Sequence, residues 1–429
     1  MTTLATPLPL DASTRRSPMF WVPTLYLAEG LPFYVIARVA QQMYESFGIP
    51  HDQLTHWTGL IGLAWVFKPL WSPFVEAAQS KKTLVVVFEF VTAIGLGLAA
   101  LALQLPSYFA ASIAVLAFVA VSAATHDIAA DGLYIANLSA KQQASYAGWQ
   151  GAFFNAGRVV AAGGLLKLAG LLEGQMAIAH AWAIVFGLVA LVMTALSAYH
   201  AWGLPQPNHA HQRRDAASVA RELREVIVDF FRKPGIWMAI LFIVLFRAGE
   251  GQIQSIGPLF LRAARAQGGL GLTIDQVGWV YGTVGTIAFL VGSVFGGYFT
   301  SWLGLKRAMV WLILAVNVPN LVFYALSVTH PTGLAVIAGA LSLEMFGYGF
   351  GFVGVILFIM QVVAVGKYQT AHYALGTGVM QLGLVLFTVI SGDIQVALGY
   401  QHFFLWVLVS ALPVLVLSRF LKIGDKAAA

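Results

Sequence analysis

Residues 122–138 read SAATHDIAADGLYIANL and place His126, Asp127 and Asp131 inside a segment that is otherwise apolar. Asp127 and Asp131 are four residues apart, so a helix presents both on one face. The alanines and Gly132 around them allow another helix backbone to approach closely. Such charges indicate either side chains that pair inside a helix bundle or part of a site for protons or substrate.

The composition is that of a membrane protein. Hydrophobic residues make up 59% of the 429 positions and charged residues 10%, whereas a soluble domain has roughly 25% charged residues. The absence of cysteine excludes disulfides and thiolate chemistry. The net charge of +6 indicates basic cytoplasmic loops, so the lipid bilayer and not a nucleic acid is the expected partner.

Twelve apolar segments are long enough to cross a bilayer, which takes about 20 residues. We call them spans 1 to 12, and they cover residues 19–44, 54–75, 83–104, 107–138, 143–172, 178–203, 235–263, 275–302, 306–328, 332–366, 370–398 and 400–422. This predicts an all-α polytopic fold with an N-terminal half (1–203), a basic cytoplasmic linker (204–234) and a C-terminal half (235–429). Residues 217–231 are expected to form an amphipathic helix on the membrane surface.

The distribution of basic residues predicts the orientation. Among the Lys and Arg residues in loops and tails, only Arg262 and Arg265 fall on the side opposite the termini. Because basic loops stay inside, both termini are expected in the cytoplasm. The first apolar run holds Glu29 and Arg38 and lacks a small-residue cleavage site, so it is interpreted as a retained helix.

The two halves repeat one another. The matching segments are Ala28-Glu29-Gly30 with Gly249-Glu250-Gly251, Asp52-Gln53 with Asp275-Gln276, and Tyr146-Ala147 with Tyr373-Ala374. Their separations agree to within a few residues, which indicates a parallel six-helix duplication. Asp52 and Asp275 are expected to be helix N-caps.

This duplication resembles transporters of the major facilitator class, and the resemblance implies that spans 1, 4, 7 and 10 line a central cavity. Seven intramembrane charges fall in those spans: Glu29, Arg38, Asp127, Asp131, Arg247, Glu250 and Glu344. A charge deep in the bilayer costs at least a few kcal/mol unless it is paired. Glu29, Asp127, Glu250 and Glu344 are therefore the predicted proton-coupling residues. Gly30 and Pro32 are expected to open span 1 next to Glu29.

Arginines and neighbouring polar residues are the predicted substrate contacts. Arg158, Asn155 and Gln150 form a polar stripe on span 5 that either binds an anionic or sugar-like substrate or packs against other helices. Arg247 either contacts substrate or pairs with Glu250, three residues away. His126 points about 100° away from Asp127 on the helix and is predicted to contact substrate, although a hydrogen bond to another helix is the alternative.

No catalytic or metal-binding pattern is present in the sequence. Asp131-Gly132 is not followed by the arginine and paired aspartates of a membrane phosphotransferase, and His126 and Asp127 lack a third ligand at metal spacing. The glycines lie inside apolar spans and not in a phosphate-binding loop. The chain is therefore not expected to be an enzyme or to need a cofactor.

Several motifs resemble the AmpG-type muropeptide permeases, which belong with the acetyl-coenzyme A transporters in one major facilitator family. They are Gly30-Leu31-Pro32, Val66-Phe67-Lys68-Pro69-Leu70-Trp71-Ser72-Pro73, Asp127-Ile128 with Asp131, and Phe246-Arg247-Ala248-Gly249-Glu250. The superfamily's cytoplasmic-loop signature is also resembled by Gly297, Gly304, Lys306 and Arg307, with Ser301 in place of its aspartate. Asp131, Lys306 and Arg307 are accordingly predicted to form a cytoplasmic gate.

The resemblance implies proton-driven import of anhydromuropeptides across the bacterial inner membrane, and the chain is expected to act as a monomer. Some positions depart from the family. His126 replaces a glutamine, Glu250 replaces an aspartate, and Lys81-Lys82 stand for a longer basic loop. Two alternatives therefore stay open. One is the same fold with a siderophore or a coenzyme A thioester as substrate, and the other is a membrane sensor that does not transport.

Overall fold

The computed structural model describes residues 17–76, 78, 80–138, 140–205, 216–421 and 423, and every regular element among them is helical. In the N-terminal half the helices are Pro18–Ser46 (span 1), His51–Ile61 with Leu63–Glu76 (span 2), Lys81–Ala102 (span 3), Tyr108–Asn137 (span 4), Ala140–Arg158 continuing to Leu166–Glu173 (span 5) and Ile178–Gly203 (span 6). The prediction of an all-α fold is confirmed.

The C-terminal half likewise contains helices at the positions of six predicted spans. Its helices are Ile236–Phe246 with Ala248–Arg262 (span 7), Ile274–Val277 continuing to Gly285–Leu303 (span 8), Leu305–Asn317 with Leu321–Thr329 (span 9), Leu334–Phe358 continuing to Ile359–Val363 (span 10), and Gln369–Ser410 with Leu412–Ser418 (spans 11 and 12). Gly399, with φ 69° and ψ 168°, separates span 11 from span 12.

In the described part of the chain, nine helices are long and apolar enough to cross a membrane, and one of them, Ala371–Ser418, contains both span 11 and span 12. The two remaining predicted spans are helical but less regular. Span 2 is interrupted at Gly62, and span 5 begins with the polar stretch 140–158. The described helices therefore agree in position with the twelve predicted spans.

Four π-helical turns interrupt the long helices of the described residues, at Val35–Val39, Val159–Leu165, Gly278–Val284 and Ile359–Val363. Such turns are frequent at functional sites. Span 7 breaks at Arg247, where one helix ends and the next begins. Span 1, by contrast, stays helical through Gly30 and Pro32, so the predicted opening beside Glu29 is wrong. A Cβ on Gly30 would lie 2.3 Å from the Phe154 carbonyl oxygen, which shows that this glycine lets spans 1 and 5 pack closely.

The N-cap prediction is also wrong. Pro50 and Thr273 occupy the N-cap positions, and Thr273 forms a capping box with Gln276. Asp52 and Asp275 lie in the first turns, where a negative charge interacts favourably with the helix dipole.

A linker helix, Ala216–Arg232, connects the halves. Its Val226 and Phe230 are buried, and the ring of Phe230 lies 5.6 Å from that of His372 in span 11. Its Val228 and Phe231 are 37% and 40% exposed. Buried side chains on one face and exposed apolar ones on another suit a helix between protein and membrane surface.

We call the end of the bundle next to this linker the linker end, and the opposite end, with the turns at residues 47–50 and 263–273, the far end. The two halves contact at the far end. Arg262 donates hydrogen bonds to the Gln42 carbonyl oxygen (2.7 Å) and to Ser46 Oγ (3.0 Å). The Gly392 N–H donates to Thr55 Oγ1 across the same interface (3.1 Å). These bonds hold spans 7 and 11 against spans 1 and 2.

Candidate functional site

A cavity of about 390 Å³ lies between the two halves. Its wall includes side chains from spans 1, 2 and 5 of the first half and from spans 7, 8, 10 and 11 of the second. Three arginines face it, Arg38 from span 1, Arg158 from span 5 and Arg247 from span 7. A cavity of this size with polar groups converging from several helices is the expected form of a small-molecule site.

The cavity has aromatic walls on both sides. In the N-terminal half, the ring of Phe33 lies 5.0 Å from that of Trp65 and 5.7 Å from that of Phe154. In the C-terminal half, the ring of Phe289 lies 4.8 Å from that of Tyr348. These five side chains border the cavity, so it offers flat apolar surfaces beside its positive charges.

Arg247 is held by groups of its own half. Its guanidinium forms an ion pair with Glu250 and lies 5.2 Å from the centre of the Phe352 ring. Glu250 also accepts a hydrogen bond from Gln254, and Tyr348 is a further titratable group that interacts with it. Of the two alternatives for Arg247, the structure shows pairing with Glu250, and the guanidinium still reaches the cavity wall.

Glu344 of span 10 is buried at 3% exposure. Its Oε2 atom has no hydrogen-bond partner among the described residues. Arg158, Arg38, Glu250 and Tyr281 are the charged or titratable groups that act on it. A buried carboxyl with an oxygen to spare is suited to holding a proton.

The other two predicted proton-coupling residues lie together in the N-terminal half, away from the cavity wall. Asp127 forms an ion pair with Lys68 of span 2. Glu29 interacts electrostatically with Asp127, so two carboxyl groups of different spans lie in one cluster with Lys68. The four predicted residues therefore form two separate groups, Glu29 with Asp127 and Glu250 with Glu344.

Asp131 has its partners inside the N-terminal half. It accepts hydrogen bonds from Tyr26 Oη (2.9 Å) and Gln150 Nε2 (3.4 Å). Lys306 and Arg307 belong to the first turn of span 9 and are exposed at the linker end. The gate between Asp131 and this basic pair stays a prediction.

The polar stripe of span 5 divides between two places. Arg158 and Asn155 border the cavity, and Asn155 accepts a hydrogen bond from Tyr34 Oη (3.4 Å). Gln150 donates to Asp131 instead. The structure therefore brings Asn155 and Arg158 to the candidate substrate site and places Gln150 beside the carboxylate group of span 4.

His126 does not line the cavity. Its Nε2 lies 3.1 Å from Glu89 Oε1, and the same oxygen lies 2.6 Å from His200 Nδ1. All three side chains are at most 2% exposed. The predicted substrate contact is thus replaced by a hydrogen bond to a neighbouring helix, which was the alternative.

Sequence reasoning missed two residues of these sites. Lys68 neutralises Asp127, and Arg38 lines the cavity with Arg158 and Arg247. A signal was available for both, because each is a single cation in a long apolar run and such cations rarely lack a partner.

The sequence and the fold both have known counterparts. Residues 24–392 match the family described as Major Facilitator Superfamily. The anhydromuropeptide permease of Escherichia coli (strain K12) is 25% identical over 407 residues, which cover 92% of this chain and 77% of the permease.

Solved structures with a similar fold are also transporters. The nucleoside transporter NupG superposes with a TM-score of 0.73 at 14% identity, covering 95% of this chain and 100% of that one. A bacterial homologue of the human lysosomal transporter Spinster, in an inward-facing and occupied conformation, gives a TM-score of 0.71 at 14% identity, covering 95% and 97%. At this level of identity the similarity shows the fold alone.

Proposed function

Since the chain belongs to the Major Facilitator Superfamily, we propose that it is a proton-coupled secondary transporter that imports anhydromuropeptides across the bacterial inner membrane by alternating access. The observation that carries the proposal is the cavity between the halves, with its arginines and aromatic walls. The E. coli relative, similar over 92% of this chain, is an anhydromuropeptide permease. Membership of this superfamily places the chain among transporters and not among enzymes.

The cavity suits a substrate that combines sugars with acidic groups. Phe33, Trp65 and Phe154 provide ring faces of the kind that pack against the apolar face of a sugar. Arg158 and Arg247 provide guanidinium groups that bind carboxylates by paired hydrogen bonds. Asn155 adds an amide that can donate to or accept from a hydroxyl or a peptide group.

Proton coupling is proposed for two pairs of carboxyl groups, one pair in each half. Asp127 is paired with Lys68 and lies next to Glu29, so a proton that enters this group changes the ion pair between spans 2 and 4. Glu250 is paired with the cavity residue Arg247, and Glu344 precedes Met345, which contacts the cavity residue Arg158. A proton on either carboxyl changes the charge beside the cavity. Buried carboxyls whose charge state changes with conformation are a common basis of proton coupling.

The contacts at the far end support alternating access. Under the predicted orientation the far end faces the periplasm and the linker end the cytoplasm. The hydrogen bonds that Arg262 donates to span 1 and that the Gly392 N–H donates to Thr55 then close the periplasmic side. Import requires these contacts to break while the halves rock about the central cavity.

The test is uptake of a labelled anhydromuropeptide into liposomes that contain the purified protein. We expect accumulation with an inward proton gradient and only equilibration without one. Asp127→Asn is expected to retain substrate exchange and lose gradient-driven accumulation, whereas Asp393→Asn, a change at an exposed carboxylate of span 11, keeps both. Equal uptake with and without the gradient would contradict proton coupling.

The same assay separates the alternatives. Competition by an iron chelate or a coenzyme A thioester, with none by unlabelled anhydromuropeptide, would replace the proposed substrate. Binding of muropeptide without flux in any gradient would indicate a sensor instead of a transporter.

A further inference from the structure

We propose that Arg38 and Arg158 form a subsite for a carboxylate of the substrate, and that a proton on Glu344 leaves Arg158 free to bind that carboxylate. The inference rests on the proposed function and deepens it. It adds Arg38 to the substrate-binding residues and states how a proton and an anionic substrate favour each other's binding.

Arg38 has only a neutral partner among the described residues. It lies in the π-helical turn of span 1, and its Nη1 donates to the Gln254 carbonyl oxygen of span 7 (2.8 Å). Its Nε is buried without a hydrogen-bond partner. A guanidinium with an unused N–H at the edge of a cavity is ready to donate to a ligand, and leaving the group unpaired is costly.

Arg158 is similar. It precedes the π-helical turn of span 5 and is 4% exposed. Its Nη2 lies 3.6 Å from Met345 Sδ, and its guanidinium carbon lies 5.6 Å from the centre of the Phe289 ring. No ion pair with Arg158 occurs in the described part of the chain, although Arg247 at the same cavity is paired with Glu250.

These observations leave two positive charges at one cavity without a matching carboxylate in contact. Arg38 and Arg158 repel each other electrostatically. Two like charges in a site of low dielectric constant are stabilised when an anion lies between them. A carboxylate fits because the planar guanidinium presents its N–H groups in a fork that matches the two carboxylate oxygens.

Glu344 is placed to control this subsite. The next residue in span 10, Met345, contacts Arg158. Arg158, Arg38, Glu250 and Tyr281 are the charged or titratable groups around Glu344. An ionised Glu344 partly cancels the attraction of Arg158 for a substrate carboxylate. A proton on Glu344 removes that competition, so proton and anion each strengthen the binding of the other.

The first test compares two ligands on the purified protein, an anhydromuropeptide with free peptide carboxylates and the same compound with those carboxylates amidated. We expect the free acid to bind at least about tenfold more tightly, since charge-assisted hydrogen bonds are lost on amidation. Arg38→Gln and Arg158→Gln are expected to weaken binding of the acid and to leave that of the amide unchanged. Arg224→Gln, at an exposed position of the linker helix, serves as the control.

The outcomes separate this inference from the proposed function. If neither compound binds or is transported, the proposed substrate class is wrong. If both bind equally and the arginine variants weaken both equally, the function stands and the carboxylate subsite is wrong. The comparison of the two ligands on the wild-type protein needs no variant, so a folding defect in Arg158→Gln does not obscure the result. Arg158→Lys, which keeps the charge, provides a second variant in which binding of the two ligands is compared.

The second test concerns Glu344→Gln, which imitates the protonated side chain. In the wild-type protein, affinity for the acid is expected to fall as the pH is raised, because Glu344 ionises beside Arg158. The variant should keep high affinity across the same range, retain substrate exchange and lose gradient-driven accumulation. A variant that keeps the wild-type pH dependence of binding would overturn the role of Glu344.

Discussion

At the scale of single residues, the buried charges of this protein fall into two kinds. Arg247 has its counter-charge three residues away in Glu250, which Gln254 also contacts. Arg38 and Arg158 have neutral partners only, among the described residues. The paired kind is expected to matter chiefly for stability and the unpaired kind for binding, because removing one member of a buried pair leaves the other uncompensated.

Arg247→Ala tests the paired kind. It leaves Glu250 buried without its counter-charge, so the free energy of unfolding is expected to fall by about 3–5 kcal/mol. The measurement is denaturant-induced unfolding of the purified protein in detergent, with Arg224→Ala, an exposed arginine, as the control. The double variant Arg247→Gln with Glu250→Gln should recover much of the loss. A loss no larger than that of the control would show that the pair is not stabilising.

At the scale of helices, the far end depends on close approach of backbones. The π-helical turn Val159–Leu165 of span 5 faces the π-helical turn Gly278–Val284 of span 8. A Cβ on Gly282 would lie 2.1 Å from the Ala162 carbonyl oxygen, and one on Gly278 would lie 3.0 Å from it. Small residues permit this contact between the halves, and it is one of the contacts that rocking has to break.

Gly282→Ala is expected to force the halves apart at the far end. The distance between spin labels at Gln53→Cys and Val396→Cys, both at exposed positions of the far end, should increase. The spin labels attach only at these two introduced cysteines, because the natural chain has no cysteine. Gly297→Ala in the same span is the matched control, since no atom lies within 4 Å of its added Cβ. An unchanged distance in Gly282→Ala would show that the close contact does not hold the far end shut.

His51 adds a polar contact between the halves at the far end. It is the first residue of the span 2 helix and precedes the apolar segment 54–75. Its Nε2 lies 3.0 Å from Glu45 Oε2, and its Nδ1 lies 2.8 Å from Gln395 Oε1 of the other half. Burial alone would lower the pKa of His51, but Glu45, together with Gln395 and Asp52, raises it above the ordinary histidine value. Tyr400 is the further titratable group against its ring.

The closed far end should therefore respond to pH. Because the pKa of His51 is raised by these contacts, their stabilisation is complete below the ordinary histidine pKa and is lost as the pH rises through the raised value. The distance between the spin labels at Gln53→Cys and Val396→Cys is expected to increase as the pH rises through the raised pKa of His51. His51→Gln should abolish the change, and His402→Gln, which removes an exposed histidine at the same end, should preserve it. A pH response that survives in His51→Gln would exclude His51 as its source.

At the scale of the whole molecule, charge divides the bundle into two ends. The described residues at the linker end include Lys81, Lys82, Lys233, Lys306, Arg307 and Lys367, whereas those at the far end include Arg262, Arg265 and, in the last helix of span 5, Lys167. Arg262 and Arg265 are engaged with the protein, Arg262 with span 1 and Arg265 with the carbonyl oxygens of His330 and Pro331. This asymmetry supports the proposed cytoplasmic position of the linker end.

Labelling of single cysteines tests that orientation. Gln267→Cys at the far end and Glu225→Cys on the linker helix both replace exposed side chains. A membrane-impermeant maleimide added to spheroplasts should label Gln267→Cys, and it should label Glu225→Cys only after the inner membrane is permeabilised. The opposite pattern would invert the proposed topology and with it the direction of transport.

Features that depend on local sequence could be predicted well. The positions of the helices, the six-plus-six repeat and the concentration of charge in spans 1, 4, 7 and 10 follow from apolar length and from residue identity. The spacing of Arg247 and Glu250 made their pairing one of two alternatives, because residues three apart on a helix are neighbours, and the structure shows the pair. The roles of His126 and Gln150 could not be predicted in this way, because each contacts a residue of a different helix, His126 contacting Glu89 and Gln150 contacting Asp131.

The sequence by itself determined that this chain is a twelve-span helical protein of two related halves, because the length and polarity of each segment decide whether it can lie in lipid. Only the tertiary structure decided which charges are partners. Lys68 meets Asp127 and Glu89 meets His126 because the packing of spans 2, 3 and 4 brings those side chains together. The same packing separates Asp127, beside Lys68, from Glu250, beside Arg247. It leaves Arg38 and Arg158 facing the cavity without a counter-charge in contact among the described residues.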